Sequence, residues 1–121
     1  MAWQLNGNAP VFIQISDRLR IEILSGSYAP GAQFPTVRQL ASEAAVNPNT
    51  MQRALSALEE EGLLQSGGTQ GRFVTKDAAV LLAARERLQR KTVQKFLTRA
   101  AELGISPADI VRMIQEMEVE K

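Results

Sequence analysis

TVRQLASEAAVNPNTMQRALSALEEEG, residues 36–62, holds two helix starts only eleven residues apart. Thr36 with Gln39 three positions later is the pattern of a capping box, which opens a helix. Val37, Leu40, Ala41 and Ala44 follow at three- and four-residue spacing and make the inner face of a short helix. Asn47-Pro48 opens another. Asn accepts hydrogen bonds from the first free N–H groups, and Pro suits the first helical position because it has no N–H to leave unpaired. Met51, Ala54, Leu55 and Leu58 face inward there, and Gly62 ends the run. Only the tight connection around Ala45-Val46-Asn47 separates the two helices, which is the helix-turn-helix plan.

The flanks extend this plan. Residues 10–25 predict a preceding helix, with Val11, Ile15, Leu19 and Ile23 in one apolar stripe, Pro10 in its first turn and Gly26 as its stop. Residues 27–35 read as a loop with Pro30-Gly31 as the turn signal. Residues 63–66 and 72–75 read as short strands around Gly67-Gly68-Thr69-Gln70-Gly71, a glycine-rich hairpin tip. A hairpin directly after a helix-turn-helix is a wing. A long helix is expected over residues 78–103, closed by Gly104. Ser106-Pro107-Ala108-Asp109 starts a last one with Ser as N-cap and Asp in a capping box. Ile110, Ile114 and either Met117 or Val111 supply its apolar face. The expected class is mainly α with a small β-hairpin. A winged helix-turn-helix over residues 1–76 precedes a two-helix C-terminal dimerisation region over 77–121, with Lys76-Asp77 as the boundary.

Composition narrows the function. The 121 residues contain no Cys and no His. Disulfides, thiolate or imidazole metal sites and Ser-His-Asp or Cys-His catalysis are therefore excluded. No metal site, cofactor or enzymatic activity is expected. No apolar run approaches the ~20 residues that a membrane helix needs, and the N-terminus lacks the pattern of a secretory signal. A cytoplasmic protein with no membrane partner is expected. Net charge is only +1, so the distribution matters more than the sum. Arg85, Arg87, Arg90, Lys91, Lys95 and Arg99 stand against the single acid Glu86, whereas acids gather at Glu59-Glu60-Glu61 and at Glu116, Glu118 and Glu120. The basic stretch reads first as a solvated helix face. A weak nonspecific attraction to DNA and an anionic effector pocket between subunits are its other uses.

A helix that reads DNA needs short hydrogen-bonding side chains and few acids on its outer face. The helix opened by Asn47 offers Asn49, Thr50, Gln52 and Arg53, with the three Glu at its far end. Asn and Gln pair bidentately with adenine, and Arg with guanine. Arg38, in the first turn of the preceding helix, is placed for a phosphate or base edge; its alternative use is an ion pair with Glu43 or another acid. Gln70, Gly71 and Arg72 in the wing are candidates to follow a neighbouring groove, the alternative being a plain solvated turn. Asn47, Asn49, Thr50, Gln52 and Arg53, with Arg38 and these wing residues, form the candidate DNA-binding set. Leu81, Ala84, Leu88, Phe96, Leu97 and Ala100 are spaced for burial against a partner subunit or the last helix. A winged-helix module that binds protein instead of DNA would carry acids on the outer face of the third helix, and none stand there.

These residues also carry a family resemblance. Pro10-Val11-Phe12-Ile13-Gln14-Ile15, Leu24-Ser25-Gly26, Pro30-Gly31, Phe34-Pro35-Thr36-Val37-Arg38-Gln39-Leu40-Ala41, Val46-Asn47-Pro48-Asn49-Thr50-Met51-Gln52-Arg53-Ala54-Leu55, Leu58-Glu59, Glu61-Gly62-Leu63 and Gly71-Arg72-Phe73-Val74 resemble the N-terminal domain of the GntR family of bacterial transcription regulators, in order and over about residues 8–75. The Asn-Pro-Asn-Thr opening and the short tail resemble its YtrA subfamily, in which two C-terminal helices dimerise. The resemblance implies a homodimeric, repressor-type regulator bound to an inverted-repeat operator in double-stranded DNA, and leaves room for a small-molecule effector. It implies that Arg38 contacts DNA, that Asn49, Thr50, Gln52 and Arg53 are reading positions, and that Gly71 enters the minor groove. Asn47-Pro48 stands where many relatives have Ser-Arg, so one DNA-contacting Arg is missing. Gly71-Arg72 replaces the more usual Gly-Thr and would add a phosphate contact.

Overall fold

The computed structural model describes residues 3–117. Met1, Ala2 and residues 118–121, which hold Glu118, Glu120 and the ends of the expected 1–76 and 77–121 modules, lie outside the described residues. Five helices and one hairpin follow in order: α1 (Val11–Leu24), α2 (Val37–Ala44), α3 (Pro48–Glu60), β1 (Leu64–Ser66), β2 (Arg72–Val74), α4 (Ala78–Glu102) and α5 (Pro107–Glu116). The fold is a winged helix-turn-helix with a helical C-terminal region. The chain forms two compact units, Met1–Ala84 and Arg85–Lys121, which divide within α4.

In the first unit α3 is central and packs against α1, α2 and β1. Ile15, Leu19 and Ile23 of α1, Leu40, Ala41 and Ala44 of α2, and Met51, Ala54, Leu55 and Leu58 of α3 are all buried. They are residues that helical periodicity turns inward; of the same expected faces, Val11 at the start of α1 is exposed and Val37 at the start of α2 is half-buried. Each large side chain among them contributes roughly 1.5–3 kcal/mol of transfer free energy. Burial extends to Leu63, Leu64, Val74, Leu81 and Ala84. At the surface Arg20 of α1 grips Glu61 beyond α3, donating from Nε to Oε1 at 2.7 Å and from Nη2 to Oε2 at 2.5 Å. Asp17 accepts from its Nη1 at 2.8 Å. The hydrogen bond to Glu61 holds the Arg20 pKa above its ordinary value, against the opposing cost of desolvation.

Local chemistry sets the helix ends. Thr36 and Gln39 close the capping box, at 3.1 Å from Gln39 N–H to Thr36 Oγ1 and 2.9 Å from Thr36 N–H to Gln39 Oε1. Asn47 Oδ1 accepts from Asn49 N–H at 2.7 Å. Asp77 Oδ1 accepts from Ala79 and Val80 N–H and caps α4. Ser106 Oγ accepts from Asp109 N–H at 3.1 Å. The Asp109 carboxylate, expected to reach back in a capping box, instead lies 3.5 Å from Arg112.

The hairpin is antiparallel, with Leu64, Gln65 and Ser66 opposite Val74, Phe73 and Arg72. Residues 31–34, expected as loop, pair with the outer edge of β2. Gly31 N–H reaches Val74 O at 2.9 Å, Val74 N–H reaches Ala32 O at 2.9 Å, and Phe34 N–H reaches Arg72 O at 2.8 Å. The wing is therefore tied to the segment that leads into α2.

In the second unit α4 turns into α5 through Gly104. Ile105 N–H bonds Ala100 O and Gly104 N–H bonds Ala101 O, both at 3.0 Å, which is the Schellman closure. Ala100 and Ile110 are buried, while Val93, Phe96, Leu103, Val111, Ile114 and Met117 are more than half exposed. No helix among the described residues is long and apolar enough to cross a membrane.

Candidate nucleic-acid interface

The face of α3 opposite its buried stripe carries the expected side chains into solvent. Asn47, Asn49, Gln52 and Arg53 are exposed and Thr50 is half-buried. Asn47 spends its carbonyl oxygen on the helix cap, which leaves its amide N–H groups unused. Gln52 Nε2 rests 3.3 Å from Ser56 Oγ, a weak contact that exchanges readily for a stronger one. The three acids at the far end are partly neutralised. Glu59 pairs with Arg72 and Glu61 with Arg20. Like charge that would repel a polyanion is thereby reduced on this helix.

Arg38 sits in the first turn of α2 and is exposed. It makes no ion pair with Glu43 or any other acid among the described residues. Its neighbours at the α2 N-terminus include N–H groups that carry partial positive charge. The connection from α2 to α3 is made by Ala45, a left-handed residue at φ 57° and ψ 47°. It turns the chain within two residues, so that Asn47 already caps α3.

The wing tip is a short 3-10 turn over Gly68–Gln70. Gly67 N–H closes it on Gly71 O at 2.6 Å. Gly71 lies at φ 87° and ψ −145°, a conformation open to glycine and costly for other residues. A Cβ on Gly71 would touch only Gln33 Nε2, at 3.9 Å, so the side of the tip is open. A Cβ on Gly67 would overlap the Phe73 ring. Gln70 is exposed at the tip, and its carbonyl accepts from Gln33 Nε2 at 2.8 Å. Arg72 does not extend into solvent. Its Nε donates to Glu59, and the pair fastens the wing to the end of α3.

Sequence reasoning missed the tertiary partners at this site. Phe12 of α1 lies beneath Arg53, whose guanidinium carbon is 3.8 Å from the ring centroid. Gln33, Glu59 and Phe12 are each remote in sequence from the residue they hold. Of the expected dimerisation set, Leu81, Ala84 and Ala100 are buried within the chain, Leu88 and Leu97 are half-buried, and Phe96 is exposed.

A family model described as bacterial regulatory proteins, gntR family, matches residues 13–74. The chain is 29% identical over 112 residues to the uncharacterized HTH-type transcriptional regulator YhcF of Bacillus subtilis, covering 93% of each. It is 25% identical to the HTH-type transcriptional repressor YtrA of the same organism, over 91% of this chain and 85% of that one. Among solved structures, a GntR family transcriptional regulator from Listeria monocytogenes superposes with a TM-score of 0.86 at 27% identity, over 94% of this chain and all of the other. The DNA-binding domain of AraR in complex with operator ORX1 superposes with a TM-score of 0.56 at 26% identity, over 60% of this chain and 93% of that one.

Proposed function

This chain belongs to the gntR family of bacterial regulatory proteins, and from that premise we propose that it is a cytoplasmic homodimeric repressor of the YtrA type that reads an inverted-repeat operator. One observation carries the reading. The exposed face of α3 presents Asn49, Thr50, Gln52 and Arg53 free of carboxylates, while Met51, Ala54, Leu55 and Leu58 of that helix are buried. In the major groove this face meets base edges. Asn and Gln offer paired donors and acceptors to adenine, and Arg offers paired donors to guanine. Arg38, with no acid to neutralise it, meets a backbone phosphate. The wing tip follows the adjacent minor groove, with Gly71 against its wall. Arg72 acts indirectly, since its ion pair with Glu59 sets the angle between wing and helix. The repressor named YtrA and the operator complex of AraR support this reading by likeness.

Two copies are required because one α3 covers only a half-site. The exposed apolar residues of α4 and α5, Phe96 among them, supply the surface for a second copy. The test compares Gln52→Ala with wild type on two probes, a duplex enriched from a randomised library by the full-length protein and a duplex of random sequence. The variant is expected to lose about 1–3 kcal/mol on the enriched duplex and little on the random one. Equal losses on both would remove Gln52 from the base-reading set.

A further inference from the structure

We propose that Phe12 of α1 is a positioning residue for DNA reading, holding Arg53 of α3 with its guanidinium edge free. The proposal rests on the DNA-reading function above. Five arginines lie in the described residues 3–84. Arg18 pairs with Glu22, Arg20 with Asp17 and Glu61, and Arg72 with Glu59. A carboxylate occupies the N–H groups it binds and cancels the charge. Arg38 and Arg53 are the two without a carboxylate, and of these only Arg53 is held, by a ring 3.8 Å from its guanidinium carbon.

The kind of contact matters. An arginine stacked on an aromatic ring uses the face of its guanidinium, whereas its N–H donors lie in the plane and point outward at the edge. Stacking therefore restricts the long side chain without consuming a donor or neutralising the charge. A free arginine gives up most of its rotamer freedom when it binds. One already stacked gives up less and so binds more tightly. Phe12 is half-buried and fixed by α1, which packs on α3. The ring is thus a rigid platform beside the second turn of α3, where Gln52 and Arg53 stand together. A carboxylate at the same place would have held Arg53 equally well and disabled it.

A double-mutant cycle tests this on the full-length protein, by fluorescence anisotropy on the library-enriched duplex, with urea unfolding run alongside. Phe12→Leu keeps an apolar side chain and removes the ring. It is expected to weaken binding about threefold, the size of an exposed cation–π contact. In the Arg53→Ala background the same change is expected to cost nothing further, and Phe12→Tyr is expected to restore wild-type affinity. If Phe12→Leu unfolds the protein, Phe12→Met takes its place in the cycle. Unchanged affinity, or tighter binding because the ring sequesters Arg53, would overturn the proposal. So would an equal loss with and without Arg53, since Phe12 would then act through packing alone. These outcomes leave the DNA-reading function standing. Failure of the wild type to enrich any duplex would remove both.

Discussion

Ala45 is the residue on which the helix-turn-helix pivots. Four helices in this chain end on a Schellman closure, and α1, α3 and α4 place Gly26, Gly62 and Gly104 in the left-handed position. α2 places Ala45 there instead, at φ 57°. A Cβ in that conformation crowds the following carbonyl at a cost of roughly 1–2 kcal/mol. Glycine removes the crowding but gives the unfolded chain more freedom, which returns about 0.4–1 kcal/mol. Ala45→Gly is therefore expected to stabilise the protein by about 0.5–1 kcal/mol, seen in urea as a higher midpoint with an unchanged slope. A lower midpoint would mean that Ala45 is not strained. At the residue scale the helix starts were legible because their determinants are local, although the reciprocal Asp109 contact expected at the start of α5 goes to Arg112 instead. Thr36, Asn47 and Ser106 announce the helix starts because a cap is made within three residues. The Arg53–Phe12, Arg72–Glu59 and Arg20–Glu61 pairs were illegible because each partner lies on another element, brought near only by the packed core.

At the scale of elements, the wing is more firmly built than its glycine content suggests. Gln33 holds the carbonyl of Gln70, residues 31–34 pair with β2, and Arg72 ties the hairpin to α3. A pattern of apolar residues cannot reveal the 31–34 pairing, because those residues join the sheet through backbone groups rather than through alternation. Gly71 was legible as a special position, and its backbone angles give the reason. Gly71→Ala is expected to lower stability by about 1–3 kcal/mol through strain rather than collision, since the nearest atom to the new Cβ is 3.9 Å away. On the proposed groove-facing role, operator affinity of the folded variant also falls by roughly tenfold, about 1.4 kcal/mol. A thermal melt beside an anisotropy titration separates the two effects. Loss of stability with unchanged affinity would keep Gly71 as a turn residue only.

At the scale of the whole molecule, helical spacing marked the apolar positions of α4 but not what covers them. Leu81, Ala84 and Ala100 are buried within the chain, whereas Phe96 is 54% exposed, and Val93, Val111 and Ile114 are exposed as well. Periodicity reports that a residue prefers burial, and burial by the same chain or by a second copy satisfies it equally. Phe96→Glu is expected to leave a folded monomer at concentrations where the wild type sediments as a dimer, because the change removes nothing from the internal core. A dimeric Phe96→Glu variant would move the interface away from this part of α4. Whether two copies each place α3 in one half of a symmetric operator is read from the duplex that the full-length protein enriches from a randomised library, together with the number of protomers bound to it. An inverted repeat with half-site centres ~34 Å apart, about one helical turn, and two protomers on each duplex are expected. Enrichment of a single asymmetric site carrying one protomer would contradict this arrangement.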